Sequence, residues 1–211
     1  MASSSMSALR AGDAAAGEPS PELLARTLSA AQGAKSAGQL SPSFCLLDQH
    51  GARTTLIDLL AAGPLVISFY RGVWCDFCDI ALAGLARIDA EIKVVGARHV
   101  AIGPPPTSDA QRQRLRAFPM PVLDDPGLRT ATAFGLTVSL PEELREQYLA
   151  VGYAPPSPLG PDEWFVPVPA TYVIGRDGRV VMSSIDADYR NRSTSGEILG
   201  VLRALRARTA V

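Results

Sequence analysis

The chain is poor in the residues that most often announce a site. It has three cysteines, two histidines and only two lysines, Lys35 and Lys93, among 211 residues. A structural zinc site needs four ligands, often as two paired motifs, and one C-x-x-C with no second pair supplies half of that. His50 and His99 are expected on a turn and a strand edge, so no metal is expected. No segment approaches the ~20 uninterrupted apolar residues of a membrane-spanning helix. Residues 1–19 lack the basic start and apolar core of an export signal, which leaves the cytoplasm as the expected compartment. A formal net charge of −1 gives no reason to expect nucleic acid or an anionic membrane surface as partner. No internal repeat is found. No nucleotide or flavin motif occurs, so no bound organic cofactor is expected.

What is present is enough for a globular domain with appendages: 47% of residues are hydrophobic and 19% charged. The expected organisation is a disordered tail over 1–20, a helix and linker over 21–40, and a domain over 41–211 with an insert at 137–168. Leu23, Leu24 and Leu28 give helical spacing from Pro21 to about Ala37. Ser43–Asp48 and Arg53–Ile57 flank Gln49-His50-Gly51 and read as a hairpin. Leu65–Tyr70 is a continuous apolar run, as a strand buried on both faces requires. Cys78, Leu82, Leu85, Ile88 and Ile92 share one face of a helix expected from Cys75 to about Lys93. His99–Ile102 and Val122–Asp125 read as strands. Helices are expected from a cap at Thr107 or Ser108 through Phe118, and from Pro126 to Phe134, the latter stopped by Gly135. This alternation argues for an α/β fold with a mixed, mainly parallel central sheet flanked by helices. In the insert, Glu142–Leu149 has helical character, whereas the four prolines of Ala154–Pro161 require an irregular loop. Ala170–Ile174 and Val180–Ser184 form a hairpin around Arg176-Asp177-Gly178, and Ser195–Arg208 closes the chain as an amphipathic helix.

Two of the three cysteines fall within Trp74-Cys75-Asp76-Phe77-Cys78, where the apolar strand gives way to a helix. A thiol at a helix N-terminus feels the partial positive charge there, which favours thiolate. A second thiol one turn on is close enough to close a disulfide. In a reducing compartment such a close pair is catalytic or metal-binding rather than a structural staple. Cys45 lies in an apolar strand and is expected in the core.

The segment Phe69-Tyr70-Arg71-Gly72-Val73-Trp74-Cys75-x-x-Cys78 resembles the active-site segment of the peroxiredoxin-like branch of the thioredoxin superfamily, the alkyl hydroperoxide reductase/thiol-specific antioxidant proteins. Ser43–Gly51 is similar to that family's opening strand and turn. Val166-Pro167-Val168-Pro169-Ala170-Thr171-Tyr172-Val173-Ile174 resembles its V-P-A-T-F-V-I segment, and Asp186–Arg190 the tract before its last helix. The resemblance covers residues 41–208 and implies a thioredoxin fold. It also implies that Pro169 is a cis-proline packed beside the cysteines, with Val168 presenting its backbone to a bound thiol or disulfide.

On this resemblance Cys75 is the nucleophile and Cys78 the resolving thiol, joined in a redox disulfide at the end of the oxidative half-reaction. A peroxide would convert Cys75 to a sulfenic acid that Cys78 condenses with. A disulfide substrate would form a mixed disulfide on Cys75 that Cys78 releases. Both routes end in the same Cys75–Cys78 disulfide, and a non-catalytic redox sensor is a third reading. Main-type peroxiredoxins carry P-x-x-x-T-x-x-C, and Gly72 stands here at the threonine position. Arg71 is either a cation beside the thiolate or a solvated arginine. Asp76 opposes thiolate formation by like-charge repulsion, which predicts a less depressed Cys75 pKa. Trp74 is expected at the site mouth. Trp164 either helps to cover the site or packs within the insert. Thioredoxin or a low-molecular-weight thiol is the expected reductant. Proteins of this fold often dimerise, and the insert is available for a homodimer contact.

Overall fold

The computed structural model describes residues 21–150, 152–153, 164–186, 188, 191 and 193–209. The tail expected over 1–20 and the proline-rich loop expected over 154–161 lie outside the described residues, as do 187, 189 and 190 of the tract before the last helix.

The described chain opens with α1 (Pro21–Gly33), which starts on a proline and stops short of Ala37. The strands β1 (Cys45–Asp48) and β2 (Arg53–Thr55) pair as the expected hairpin. The Asp48 carboxylate accepts from the His50 and Ala52 N–H groups and fixes its turn. The next helix, α2 (Leu56–Ala62), is capped by the Thr55 hydroxyl. Gly63 ends it at φ 152°, where a Cβ would lie 1.9 Å from the Gly96 carbonyl oxygen, so only glycine fits. Then come β3 (Leu65–Phe69), α3 (Asp76–Arg87), α4 (Asp89–Val94) and β4 (Arg98–Gly103). The single helix expected from Cys75 to Lys93 is thus two. Ile88 leaves helical geometry at φ −98° and ψ 5°, and the bend lets Leu85, Ile88 and Ile92 all reach the same core.

After α5 (Asp109–Arg116), capped by Ser108, comes β5 (Val122–Asp124). The helix expected from Pro126 is broken as well. Gly127 and Leu128 take φ of 70° and 54°, so a short 3-10 turn precedes α6 (Arg129–Ala133). The Asp125 carboxylate accepts from the Thr130 and Ala131 N–H groups and holds the start of α6. The insert contributes β6 (Thr137–Ser139), α7 (Arg145–Ala150) and β7 (Phe165–Pro167), with β6 and β7 antiparallel. The chain closes with β8 (Ala170–Ile174), β9 (Val180–Ile185) and α8 (Ser195–Thr209).

The central sheet has seven strands in the order β2-β1-β5-β4-β3-β8-β9. It is mixed: β3–β4 and β4–β5 pair in parallel, and the outer strands are antiparallel. Fully buried β3 shows the two faces by its alternation. Leu65, Ile67 and Phe69 join one core with Phe134 and Tyr172, while Val66 joins a second with Ile92 and Ile198. The rings of Phe69, Phe134 and Tyr172 meet at 4.9–6.1 Å, and each buried ring contributes roughly 2–3 kcal/mol relative to exposure. Among the described residues no helix is long and apolar enough to cross a membrane.

Two sequence expectations fail for reasons of strand position. Cys45 is exposed rather than in the core. It lies on the next-to-outermost strand, whose alternation turns Cys45 and Leu47 outward, and Arg53 Nε sits 2.8 Å from its sulfur. His99 belongs to inner strand β4 rather than a strand edge and is 3% exposed. Its Nε2 lies 3.3 Å from the Ser68 hydroxyl, and its Nδ1 has no hydrogen-bond partner among the described residues.

Burial pushes the His99 imidazole down from 6.5 to about 4, with nearby Asp89 opposing the shift. The folded state therefore prefers neutral His99, and the unfolded chain binds the extra proton between pH 6.5 and 4. Stability should fall as pH drops through that window, and this contribution vanishes above it. Denaturant titrations at pH 7 and 4.5 should show wild type losing roughly 2–3 kcal/mol more than His99→Gln. Equal losses in the two proteins would contradict this.

Candidate active site

The loop from Tyr70 to Cys75 carries the chain from the end of β3 into α3, and its shape is set by Gly72. Gly72 has φ 139°, and a Cβ there would lie 2.4 Å from the Trp74 indole nitrogen. Threonine cannot occupy this position because Trp74 folds back over it. A half-buried indole thus lies where the threonine is absent.

Cys75 is the N-cap residue of α3, and its carbonyl accepts from the Cys78 and Asp79 N–H groups at 2.9 and 3.1 Å. Cys78 lies in the first turn of that helix. Both thiols are buried, Cys75 at 5% exposure and Cys78 at 0%. Arg71 and Trp74 of the loop and Tyr148 of the insert cover the helix start.

Arg71 is no solvated surface residue. It is 3% exposed, and its Nη1 approaches the Cys75 sulfur at 3.9 Å. Its backbone N–H points at the Cys78 sulfur at 3.4 Å. Its Nη2 donates to the Tyr148 hydroxyl, and its guanidinium lies 4.7 Å from the Trp74 ring and 5.3 Å from the Tyr148 ring. A buried guanidinium held between two aromatic faces is desolvated yet has its charge and donors engaged.

Two opposed influences act on Cys75. The hydrogen bond with Cys78 and burial push its thiol far up, whereas the Arg71 charge and helix-start backbone pull it down. The upward influences are the larger, and Arg71 is the charge that opposes them. The upward direction expected for Cys75 is found, but Cys78 and burial cause it; solvent-exposed Asp76 is not among the causes. Asp79 pairs with Arg114, whose Nη1 also reaches the Val73 carbonyl at 3.4 Å, tying α3 and the loop to α5.

Val168 and Pro169 lack the cis bond that the resemblance implied. The Val168–Pro169 peptide bond is trans. Here the chain runs from β7 of the insert into β8, with no tight turn between them to offset the ~0.5–1 kcal/mol preference for trans. The Val168 N–H donates to the Leu136 carbonyl at 2.8 Å, so it is committed to the protein's own backbone.

Tyr148 is the functional residue that sequence reasoning missed. Helix α7 carries it over the site, where its ring packs 5.2 Å from Trp74 and 5.7 Å from Tyr153. Tyr153 also meets Trp74 at 5.5 Å and Trp164 at 6.2 Å. Trp164 thus backs the cage through Tyr153, in agreement with insert packing. The available signal was clustering: in a chain poor in aromatics, Tyr148, Tyr153, Trp164 and Phe165 fall in one short stretch. Among the described residues, no three His, Cys, Asp or Glu side chains come together as a metal site.

The AhpC/TSA family model matches residues 37–183, most of the chain. The chain belongs to the AhpC/TSA family. A Mycobacterium tuberculosis protein with a provisional peroxiredoxin name is 27% identical over 172 residues, covering 81% of this chain and 97% of its own. The crystal structure of peroxidoxin BcpB from the same organism has a TM-score of 0.62 at 24% identity, covering 81% of this chain and 97% of that one. Peroxiredoxin Q of Xanthomonas campestris has a TM-score of 0.57 at 18% identity, covering 82% and 99%. At these identities the two structures establish the peroxiredoxin-like thioredoxin fold. In this AhpC/TSA protein the Arg71–Cys75 approach is held from outside the loop by Tyr148.

Tyr148→Phe keeps the ring and deletes only the hydroxyl that accepts from Arg71. It should slow Cys75 oxidation about tenfold and move its pH profile upward, with an unchanged melting temperature. Stopped-flow oxidation across pH checks this; an unmoved profile would show that the hydroxyl does not position Arg71.

Proposed function

We propose that this AhpC/TSA protein reduces hydroperoxides through Cys75, with Cys78 resolving the oxidised product. The observation that carries the assignment is the buried Arg71 guanidinium at 3.9 Å from the Cys75 sulfur. It stabilises the thiolate and can also donate to a peroxide oxygen. The Cys75 thiolate attacks the terminal oxygen of R–O–O–H and the O–O bond breaks. Cys75 becomes a sulfenic acid, and the alkoxide takes a proton to leave as an alcohol. The Cys78 thiol then displaces hydroxide from that sulfur and water departs, leaving a Cys75–Cys78 disulfide. A thiol reductant supplies the two electrons that restore the dithiol. A reducing compartment, the cytoplasm, suits that cycle.

Family membership favours peroxide over a disulfide substrate. The burial agrees in sense: sulfurs under Trp74 and Tyr148 admit a small hydroperoxide more readily than a protein disulfide. Cys78→Ser removes the resolving thiol and should halt the reaction after one step. One equivalent of hydrogen peroxide followed by dimedone should then label the Cys75 peptide, as read by mass spectrometry. Absence of label on Cys75 would overturn its role.

A further inference from the structure

A cavity of about 230 Å³ is lined by Cys78 and by none of the aromatic cage residues Trp74, Tyr148, Tyr153 and Trp164. Its floor is the cross-strand pair Ser68 and Thr171 on β3 and β8. One wall is α3, with Cys78 and Gly84, and the other is the segment Ser193–Ser195 leading into α8. Cys78, fully buried in this dithiol form, backs the wall of this cavity and Cys75 does not. We propose that this cavity admits a small uncharged thiol, which reduces the Cys75–Cys78 disulfide by attacking the Cys78 sulfur.

Three features select that occupant. The volume suits a small molecule and excludes a protein reductant. None of the described lining residues carries a charge, whereas hydroxyls are plentiful. The Ser193 hydroxyl among them is buried without a hydrogen-bond partner among the described residues, which leaves a donor and acceptor for a ligand. Gly84 adds a separate argument. A glycine in the middle of a helix costs about 1 kcal/mol relative to alanine. No neighbouring atom lies within 4 Å of where its Cβ would be, so packing does not demand it. Open space further along the same cavity wall is what the missing side chain provides.

The chemistry rests on the disulfide of the proposed peroxidase cycle. Thiolate attack proceeds along the S–S axis, so an attack on Cys78 must come from the side that Cys75 does not occupy. The incoming R–S⁻, having lost its proton to water, forms an R–S–S–Cys78 bond as the Cys75–Cys78 bond breaks. Cys75 leaves as a thiolate beside Arg71 and is then protonated. A second R–S⁻ attacks the R–S sulfur of the mixed disulfide, releasing R–S–S–R and the Cys78 thiolate, which takes up a proton. Two thiols are oxidised and one protein disulfide is reduced.

The test oxidises the full chain with one equivalent of hydrogen peroxide, or with diamide should peroxide fail. Reduction is then followed with 2-mercaptoethanol and with mercaptoacetate, which differ mainly in charge. Each rate is divided by that thiol's rate on a disulfide-closed peptide of residues 74–79. The normalised rate with 2-mercaptoethanol should exceed that with mercaptoacetate at least tenfold. Acid quenching early in the reaction should place the mixed disulfide on Cys78. Gly84→Leu should slow reduction by 2-mercaptoethanol at least tenfold and Gly84→Ala less. The alanine variant and wild-type adduct mapping decide the matter should the leucine variant fold poorly. An adduct on Cys75, or loss of the charge preference, would overturn the proposal. A disulfide that forms with diamide but not with peroxide would count against the peroxidase reading alone.

Discussion

Cys75→Ser is expected to bring peroxide consumption down to the level of protein-free buffer, a loss of at least 10³-fold. Serine keeps the size and the N-cap position, so α3 should form as before and the melting temperature should move little. What is lost is the nucleophile, since a serine hydroxyl at this site is not ionised and does not cleave an O–O bond. Cys78→Ser should differ in kind, retaining one oxidation event per chain and losing turnover. The contrast separates an attacking thiol from a resolving one, and a catalase-free peroxide assay with thiol reductant in excess reads both. Turnover by the Cys75→Ser protein would assign the attack to Cys78.

Arg71→Met should cost about 10²–10³-fold in the rate of Cys75 oxidation, the usual scale for deleting one preorganised charge from a buried site. At 3.9 Å and an effective dielectric constant of ~20, the attraction between guanidinium and thiolate is on the order of 4 kcal/mol, which allows an effect of that size. The burial and the Cys78 hydrogen bond that push the Cys75 pKa up would then stand unopposed by that charge. Oxidation should consequently need a higher pH in the variant, with the pH profile displaced upward. Methionine fills the stem's volume between Trp74 and Tyr148, and Arg71→Lys, which keeps the charge without the fork to Tyr148, should recover part of the rate. Stopped-flow oxidation over a pH series distinguishes the three proteins. A profile unmoved by Arg71→Met would show that the thiolate is stabilised elsewhere.

The elements nearest the chemistry were legible in the sequence because their signals are local. The apolar run Leu65–Tyr70 could only be an inner strand, and the cysteines had to follow it at the start of a helix. Turn residues likewise marked both hairpins. What the sequence hid depends on segments meeting across the fold. Tyr148 reaches Arg71 only because α7 is carried over the loop by the β6–β7 pair, and nothing in residues 142–149 shows that placement. Arg71 was ambiguous for the same reason, since its burial depends on Tyr148 and Trp74. The environment of His99 follows from the order of strands in the sheet, as does the exposure of Cys45. Pro169 shows the limit of a family pattern: the motif is present, but the run from β7 into β8 takes the trans bond. Gly72 stands where the family pattern has threonine, and it is what allows Trp74 to close over the site.

The central claim is that Arg71 and the aromatic cage make Cys75 a peroxide-reactive thiol despite its burial. The most direct test mixes the reduced protein with hydrogen peroxide in a stopped-flow instrument at pH 7.4 and follows tryptophan fluorescence, to which Trp74 contributes from its place on Arg71. Wild type should oxidise with a second-order rate constant at least 100-fold above that of free cysteine, and Arg71→Met should fall back toward the free thiol. A wild-type rate equal to or below that of free cysteine would contradict the account.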